Sequence, residues 1–376
     1  MARQSYFPVA TFFAILLIPI TLFGIDFGRS DFALGDFPSS LSRKSPRDFE
    51  NWFTTRLGLR SLATSIGARL NFDILRRTTS PLVVFGKGDW IFTADSGDMS
   101  GPPPRVADVR GILRADEKTI SGMSENFAQN KTVMAQCGGA FLALVAPNKQ
   151  SVYGDYLTNA GWPTDTRLTS LLAKLSPEAR AVVQSPRDDM LKFRSERPDL
   201  LLYHKTGSHW NDLGAWVAYK GIVDKLAKEG AIYAPDRAGL ENFNINSSVI
   251  DGENMDLVIR YAKKLFTDVE VRLISKANPP LVGQVGTEPL IPPGFDRTEY
   301  TNPNGKGRLL YMGDSFGARL VPLLARHFES AVYMDYPFVL TSLVAKYRPT
   351  VVILESIERN VEKMGVTTSR LDTICR

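Results

Sequence analysis

Short apolar segments alternate with segments of helical periodicity along much of this 376-residue chain. The clearest are residues 141–146, 309–312 and 350–357, which are runs of mainly apolar residues without the polar alternation of a half-exposed strand. Such runs are typical of strands buried on both faces, and helical segments between them indicate a parallel sheet covered by helices. The sequence therefore predicts the α/β fold class with a mostly parallel sheet.

Three polar segments follow predicted strands and are expected to meet at one edge of this sheet. They are PNKQSVY (147–153), TGSHWND (206–212) and GDSFG (313–317). In open α/β sheets the ligand site forms beyond the carboxyl ends of the strands. Side chains from these segments are therefore the first candidates for catalysis or binding.

Ser315 stands in GDSFG, between an apolar strand and a predicted helix. The flanking glycines permit a sharp turn, and the unpaired N–H groups at a helix start favour negative charge. An acyl-transfer nucleophile needs this arrangement, because the same N–H groups stabilise the oxyanion. The alternative interpretation is that Ser315 only caps the helix.

A serine nucleophile needs a base, and the chain has three histidines. His327 lies on the helix predicted after Ser315, 12 residues further on, which is about 18 Å along the axis and too far for contact. His204 lies inside a predicted strand. His209 lies in the following loop, immediately before a helix, and is therefore the best candidate for the base.

Composition narrows the function classes further. The formal net charge is +5, and no dense basic run is interleaved with aromatic residues, so nucleic-acid binding is not expected. The two cysteines and three histidines form no metal-ligand spacing, and no glycine-rich nucleotide motif is present, so neither a metal nor a cofactor is expected.

Residues 7–25 form a mostly apolar run, long enough to cross a bilayer as a helix of about 20 residues. Arg3 precedes the run and favours a cytoplasmic N-terminus. We expect an uncleaved anchor, with a cleaved signal peptide or a buried core helix as alternatives. Export would permit a disulfide between Cys137 and Cys375, and two unpaired thiols are the alternative.

The segments TGSHWNDLGAWVAY (206–219) and GDSFGARL (313–320) together resemble the SGNH-hydrolase-like polysaccharide O-acetyltransferases of the alginate-acetylation type. In that family the histidine segment precedes the serine segment, as it does here, whereas ordinary SGNH esterases have the reverse order. Three further segments are family-like: FGKGDWIF (85–92), VAPNKQSVYGDYL (145–157) and VVILESIERN (351–360). The resemblance covers about residues 45–362 and implies a three-layer α/β/α SGNH-hydrolase-like domain.

One position departs from the family pattern. Family members usually carry aspartate two residues before the histidine, where this chain has Gly207. Loss of the triad carboxylate can cost about 10⁴ in rate. Asp212 is the nearest substitute in sequence, although a helix-capping role is the alternative for it. A Ser–His dyad and a feeble site are the other interpretations.

Further substrate-binding candidates follow from the resemblance. Lys149 and Tyr153 correspond to family positions near the site, Trp210 is a candidate wall for a sugar ring, and Arg359 follows a buried strand. For Lys149 the alternative is a solvated loop lysine, for Trp210 it is packing, and for Arg359 it is a structural ion pair with Glu358.

The hypothesis is a periplasmic serine acyltransferase, held at the inner membrane by residues 1–30, with a linker and amphipathic helices over 31–80 and the catalytic domain over 81–376. Ser315 and His209 would move an acetyl group onto a polysaccharide acceptor. The resemblance implies an integral-membrane partner that transports the acyl group. A carbohydrate acetylesterase and a catalytically weak polysaccharide-binding subunit are the alternatives.

Overall fold

A computed structural model gives the fold of the chain. It describes residues 66–67, 70–75, 83–94, 114–157, 166–251, 266–277, 283–290, 295–335, 340–366 and 369–372. The chain divides into two compact units, residues 1–78 with 258–266, and residues 79–257 with 267–376. In the first unit, the described part contains a short π-helical segment, Asn71–Leu75.

The described part of the second unit contains both helices and strands, and five strands follow one another between residues 243 and 313. The helices are α1 (Glu117–Gln136), α2 (Lys149–Tyr153), α3 (Arg167–Lys174), α4 (Pro177–Val182), α5 (Arg187–Glu196), α6 (Asp212–Lys228), α7 (Gly317–Leu324) and α8 (Leu340–Tyr347). The strands are β1 (Val83–Phe85), β2 (Ile91–Thr93), β3 (Ala140–Ala146), β4 (Val183–Gln184), β5 (Phe243–Asp251), β6 (Thr267–Ser275), β7 (Gly283–Leu290), β8 (Phe295–Thr301), β9 (Arg308–Gly313), β10 (Ser330–Asp335) and β11 (Val351–Ile357).

The central sheet has the strand order β4-β3-β11-β9-β10-β8-β7. Neighbours from β4 to β10 are parallel, whereas β8 and β7 add an antiparallel edge. The prediction of a mostly parallel sheet is therefore confirmed. The strands β1 and β2 form an antiparallel hairpin, and β5 and β6 form a separate two-stranded antiparallel sheet.

The sheet is covered on both faces, which makes the domain three-layered. Along β3, Leu142 and Leu144 belong to one apolar cluster and Phe141 and Val145 to the other, following the two-residue period of a strand. The first cluster includes residues of α6 and α7, and the second includes residues of α1, α3 and α8. Both faces of each parallel strand are thereby buried, which explains the continuous apolar runs.

The segment from Leu201 to Trp210 differs from the prediction, because it forms a loop in which a single bridge joins Tyr203 and Trp210. Hydrogen bonds to side chains, and not to a neighbouring strand, hold most of this loop in place. The amide of Asn211 donates to the carbonyl of Leu201 (2.7 Å), and the carboxylate of Asp268 on β6 accepts the N–H groups of residues 205 and 206. Apolar composition alone gives no sign of these partners.

Two sequence predictions concern export. The apolar run 7–25 lies outside the described residues, and within the described part no helix has both the length and the apolar character that a bilayer crossing requires. Cys137, at the end of α1, is disulfide-bonded. The only other cysteine in the sequence is Cys375, which lies outside the described residues.

Candidate active site

Ser315 lies in the turn between β9 and α7, with an exposed side chain. Asp314 shapes this turn: its carboxylate accepts the N–H of Phe316 (3.1 Å) and the N–H of Ile357 on β11 (2.9 Å). Phe316, not Ser315, occupies the N-cap position of α7, and no side-chain hydrogen bond caps this helix. The capping alternative for Ser315 is therefore wrong, and its hydroxyl is available for chemistry.

Gly313 is required because β9 and β11 approach closely at this turn. A Cβ atom at Gly313 would lie 2.2 Å from a carboxyl oxygen of Glu355 on β11. The same oxygen accepts the N–H of Asp314 (2.8 Å). Burial first, and the nearby carboxylate of Asp314 second, raise the pKa of Glu355 well above its usual range. Glu355 therefore supports the turn from β11 through its hydrogen bond to the N–H of Asp314.

His209 completes the central pair of the site. Its Nε2 atom lies 2.7 Å from Oγ of Ser315, and its ring lies 4.9 Å from the ring of Phe316, centroid to centroid. Two segments 106 residues apart thus meet at the edge predicted from the strand ends. The distance is that of a strong hydrogen bond between a nucleophile and its base.

Trp210, the residue after His209, fixes the position of the histidine relative to Ser315 from the protein interior. Trp210 is completely buried; its indole N–H donates to the carbonyl of Phe316 (3.1 Å), and its ring meets Phe316 edge to face. Trp210 thereby links the histidine loop to the serine turn. The interpretation of Trp210 as a wall for a sugar ring is wrong, because no part of its ring is accessible, and the packing interpretation is confirmed.

The helix α6, which begins three residues after His209, has a side-chain N-cap. The side chain of Asn211 accepts the N–H groups of Leu213 and Gly214 (3.0 and 3.1 Å), as an N-cap residue does. A Cβ atom at Gly214 would lie 2.3 Å from the carbonyl oxygen of Leu202. The segment HWNDLG therefore has a structural explanation: Asn211 starts α6, and Gly214 lets α6 pack against the histidine loop.

The structure does not bring Asp212 to His209. Its carboxylate pairs with the guanidinium of Arg319 (2.5 Å) and accepts the N–H of Leu273 on β6 (3.1 Å). Arg319 also binds Glu270 (2.8 Å), so the three side chains form one ion-pair network. The interpretation of Asp212 as the triad acid is wrong, because its first position in α6 directs the side chain toward β6 and α7.

Lys149 is a buried clamp rather than a substrate-binding residue. Its side chain is 1% exposed, and its ammonium contacts four backbone carbonyls, those of Ile91, His204 (3.0 Å), Lys205 (2.9 Å) and Gly207 (2.6 Å). Three of these carbonyls belong to the loop that carries His209. The alternative of a solvated loop lysine is wrong too, because Lys149 is buried. The four carbonyl contacts make the burial of its charge tolerable.

Tyr153 also lies beneath the loop. Its hydroxyl accepts the N–H of Leu202 (3.0 Å), its ring stacks on Trp90 (4.6 Å between centroids), and the guanidinium of Arg194 lies 4.4 Å from the ring centroid. Burial raises the pKa of Tyr153 to about 12, so the phenol stays protonated. The prediction that Tyr153 binds substrate is wrong: the buried ring packs under the site.

Arg359 remains the predicted binding residue with an accessible position. It is half-buried, its guanidinium lies 5.9 Å from the ring of Phe316, and it donates to the side-chain oxygen of Asn148 (3.2 Å). The carboxylate of Glu358, the residue before it, accepts the N–H of Asn148 (2.9 Å). The sequence analysis did not single out Asn148; its place two residues beyond the end of β3, in the first of the three polar segments, is the signal that the sequence offers for it.

The other two histidines are buried away from the nucleophile. His327 lies beyond the end of α7 and bonds the hydroxyl of Tyr219 (2.7 Å), and burial lowers its pKa to about 4. His204 faces Glu270 (3.5 Å), and burial lowers its pKa as well. The choice of His209 among the three histidines is therefore supported by position.

Comparisons with known proteins show which family this chain resembles. Residues 83–251 match the family model for the SGNH hydrolase-like domain of the acetyltransferase AlgX. The resemblance to the SGNH-hydrolase-like polysaccharide O-acetyltransferases is confirmed. The matched segment contains His209 and ends before Ser315, so the assignment of the serine rests on the 2.7 Å contact.

Individual relatives are distant in sequence. The chain is 20% identical over 211 residues to the probable alginate O-acetylase AlgJ of Pseudomonas putida, a match that covers 56% of this chain and 51% of that protein. The chain thus spans about half the length of this curated relative. The structure of PatB1 from Bacillus cereus has a TM-score of 0.54 and 13% identity, with 74% of this chain and 96% of that chain covered. This likeness supports the SGNH-hydrolase-like α/β fold.

Proposed function

We propose that this protein is an O-acetyltransferase that carries an acetyl group on Ser315 and passes it to a hydroxyl of an exopolysaccharide. The observation that carries the proposal is the 2.7 Å contact between Oγ of Ser315 and Nε2 of His209 at an exposed turn. A binding subunit needs no such contact. The match to the AlgX acetyltransferase domain supports acetyl as the transferred group.

The first half-reaction loads the serine. Oγ of Ser315 attacks the carbonyl carbon of the acetyl donor while Nε2 of His209 takes the hydroxyl proton. The backbone N–H of Ser315 is the donor that stabilises the oxyanion, because the N–H groups of Asp314, Phe316 and Gly317 already have acceptors within the protein. When the tetrahedral intermediate collapses, the bond to the donor oxygen breaks, and the imidazolium of His209 returns the proton to that leaving oxygen.

The second half-reaction uses the same groups in reverse. A sugar hydroxyl gives its proton to Nε2 of His209 and attacks the acetyl carbonyl on Ser315. Collapse of the intermediate releases the acetylated sugar and returns the proton to Oγ. Arg359 lies beside Phe316 with a half-buried guanidinium, which suits an acceptor that carries a carboxylate.

We place the protein outside the cytoplasm, anchored at the inner membrane through residues 7–25 and supplied with acetyl groups by an integral-membrane partner. The disulfide at Cys137 supports this proposal, because disulfides persist in oxidising compartments. The apolar run and the preceding Arg3 support the anchor.

The exposure of Ser315 also favours hydrolysis as a competing activity, since water reaches the acetyl-enzyme. We expect acetyl transfer from an aryl acetate to uronic-acid oligosaccharides to exceed acetate release to water when the acceptor is saturating. Mass spectrometry of the oligosaccharides and an assay for free acetate measure the two products. Neutral oligosaccharides of the same length are the control for the role of Arg359.

Release of acetate to water alone, at every acceptor concentration and with every oligosaccharide, would contradict the transferase proposal and identify an acetylesterase. Absence of both products with a folded protein would favour the binding subunit.

A further inference from the structure

We propose that Ser208 positions the catalytic imidazole, in the role that a carboxylate plays in a Ser–His–Asp triad. Oγ of Ser208 lies 3.1 Å from Nδ1 of His209, on the opposite side of the ring from Ser315. This inference rests on the proposed function, because it assigns His209 as the base. It adds a third member to the site, Ser315–His209–Ser208.

The tautomer of the His209 ring follows from its role as the base together with its contacts to Ser315 and Ser208. Nε2 accepts the proton of Ser315 only if its lone pair is free, so in the resting site the ring proton is on Nδ1. The N–H at Nδ1 then donates to Oγ of Ser208. No proton moves between His209 and Ser208 during the reaction; the hydroxyl selects the tautomer and the orientation of the ring.

Ser208 is held where this contact is made. Ser208 is 3% exposed, and hydrogen bonds from two other segments fix the loop around it. The ammonium of Lys149 binds the carbonyl of Gly207, the preceding residue. The carboxylate of Asp268 accepts the N–H groups of Lys205 and Thr206. A loop serine fixed in this way loses little freedom when it accepts a hydrogen bond, which makes the contact effective.

The position of the hydroxyl explains how the site tolerates glycine at 207. The family aspartate would bind the imidazole from residue 207, whereas here Ser208 binds it from the adjacent residue. A neutral hydroxyl orients the ring, but it does not neutralise the imidazolium as a carboxylate does. Ser208 therefore recovers the tautomer and geometry, and a smaller part of the rate.

The test is Ser208→Ala in the full chain, with an aryl acetate as substrate. We expect kcat to fall about tenfold, the effect of one hydrogen bond, while KM stays within about twofold. Ser208→Thr keeps the hydroxyl and is the matched control, expected to stay closer to wild type. Thermal unfolding of each variant checks the fold.

Nitrogen-15 NMR of histidine-labelled protein gives a readout that a merely structural role would not move. With three histidines in the chain, the ring signals of His209 are assigned by a His209→Gln variant. We expect the Nδ1–H tautomer in wild type and an increased share of the Nε2–H tautomer in Ser208→Ala. The wild-type tautomer is decisive even where the alanine variant does not fold.

Three results would overturn the role of Ser208. They are an Nε2–H tautomer in wild type, unchanged kcat and tautomer in Ser208→Ala, and equal losses in the alanine and threonine variants. A parallel Ser315→Ala assay separates this failure from failure of the proposed function. If Ser315→Ala is inactive while Ser208→Ala is fully active, only the Ser208 proposal fails; if Ser315→Ala is fully active, the proposed function fails.

Discussion

Ser315→Ala is expected to lower both acetyl transfer and acetate release by about 10⁴-fold or more, since removal of a catalytic serine costs this much in related chemistry. The hydroxyl contacts His209, and no contact of it supports the fold among the described residues. The side chain is exposed, so the change in unfolding free energy should stay within about 0.5 kcal/mol. Steady-state rates with an aryl acetate and the thermal midpoint measure the two effects.

Ser195→Ala is the matched control for this variant. Ser195 is also exposed and lies near the end of α5, where its hydroxyl donates to the carbonyl of Lys192 (2.7 Å). The control should keep the full rate. Comparable activity in Ser315→Ala and wild type would remove Ser315 from the chemistry, whatever the stability of the variant.

Lys149→Met is expected to have the largest effect on stability. The substitution keeps the length of the side chain but removes the ammonium that serves four buried carbonyls, among them those of His204 and Gly207. Leaving buried acceptors without a donor should lower the free energy of unfolding by about 3–5 kcal/mol. Chemical denaturation of the variant measures the loss.

The same variant should lose activity while it is still folded, because the clamp sets the backbone of the loop that carries His209. Lys87→Met is the matched control: Lys87 is exposed on the β1–β2 turn and donates to one carbonyl, that of Asp155 (2.8 Å). Its stability should change by less than about 1 kcal/mol. Equal stability of the Lys149 and Lys87 variants would show that the clamp does not hold the loop.

The sequence predicted the parts of the site that depend on strand ends. β3 and β9 are apolar runs buried on both faces, and the polar segments after them had to emerge at one edge. The choice of Ser315 and His209 as a pair was right, although its reasons were only partly so: His209 follows a loop instead of the predicted strand, and His327 lies beyond the end of α7 instead of on it.

The roles of Lys149, Tyr153 and Trp210 were not predictable in the same way. All three are polar or amphipathic residues in or next to a loop near the site, a pattern that suits substrate binding as well as burial. What decides is the path of the loop from Leu201 to Trp210, which is set by partners such as Asp268 on a distant strand. Periodicity carries no information about contacts of this kind.

Asp212 and Ser208 show the limit of prediction from sequence at the site itself. Both lie within three residues of His209, and chemistry favoured the carboxylate as the partner of the imidazole. The structure pairs Asp212 with Arg319, because α6 begins at Asp212 and carries its side chain away from the imidazole. The contact to Nδ1 comes instead from the hydroxyl of Ser208 (3.1 Å).

The most direct test of an activated Ser315 is covalent capture with a sulfonyl fluoride, followed by peptide mapping. The account predicts one stable adduct, on the peptide that contains Ser315, and at least about a hundredfold slower labelling in His209→Gln, since general-base assistance contributes about 10²–10⁴ in rate. An adduct on another residue, or labelling of Ser315 at the same rate without the imidazole, would contradict it.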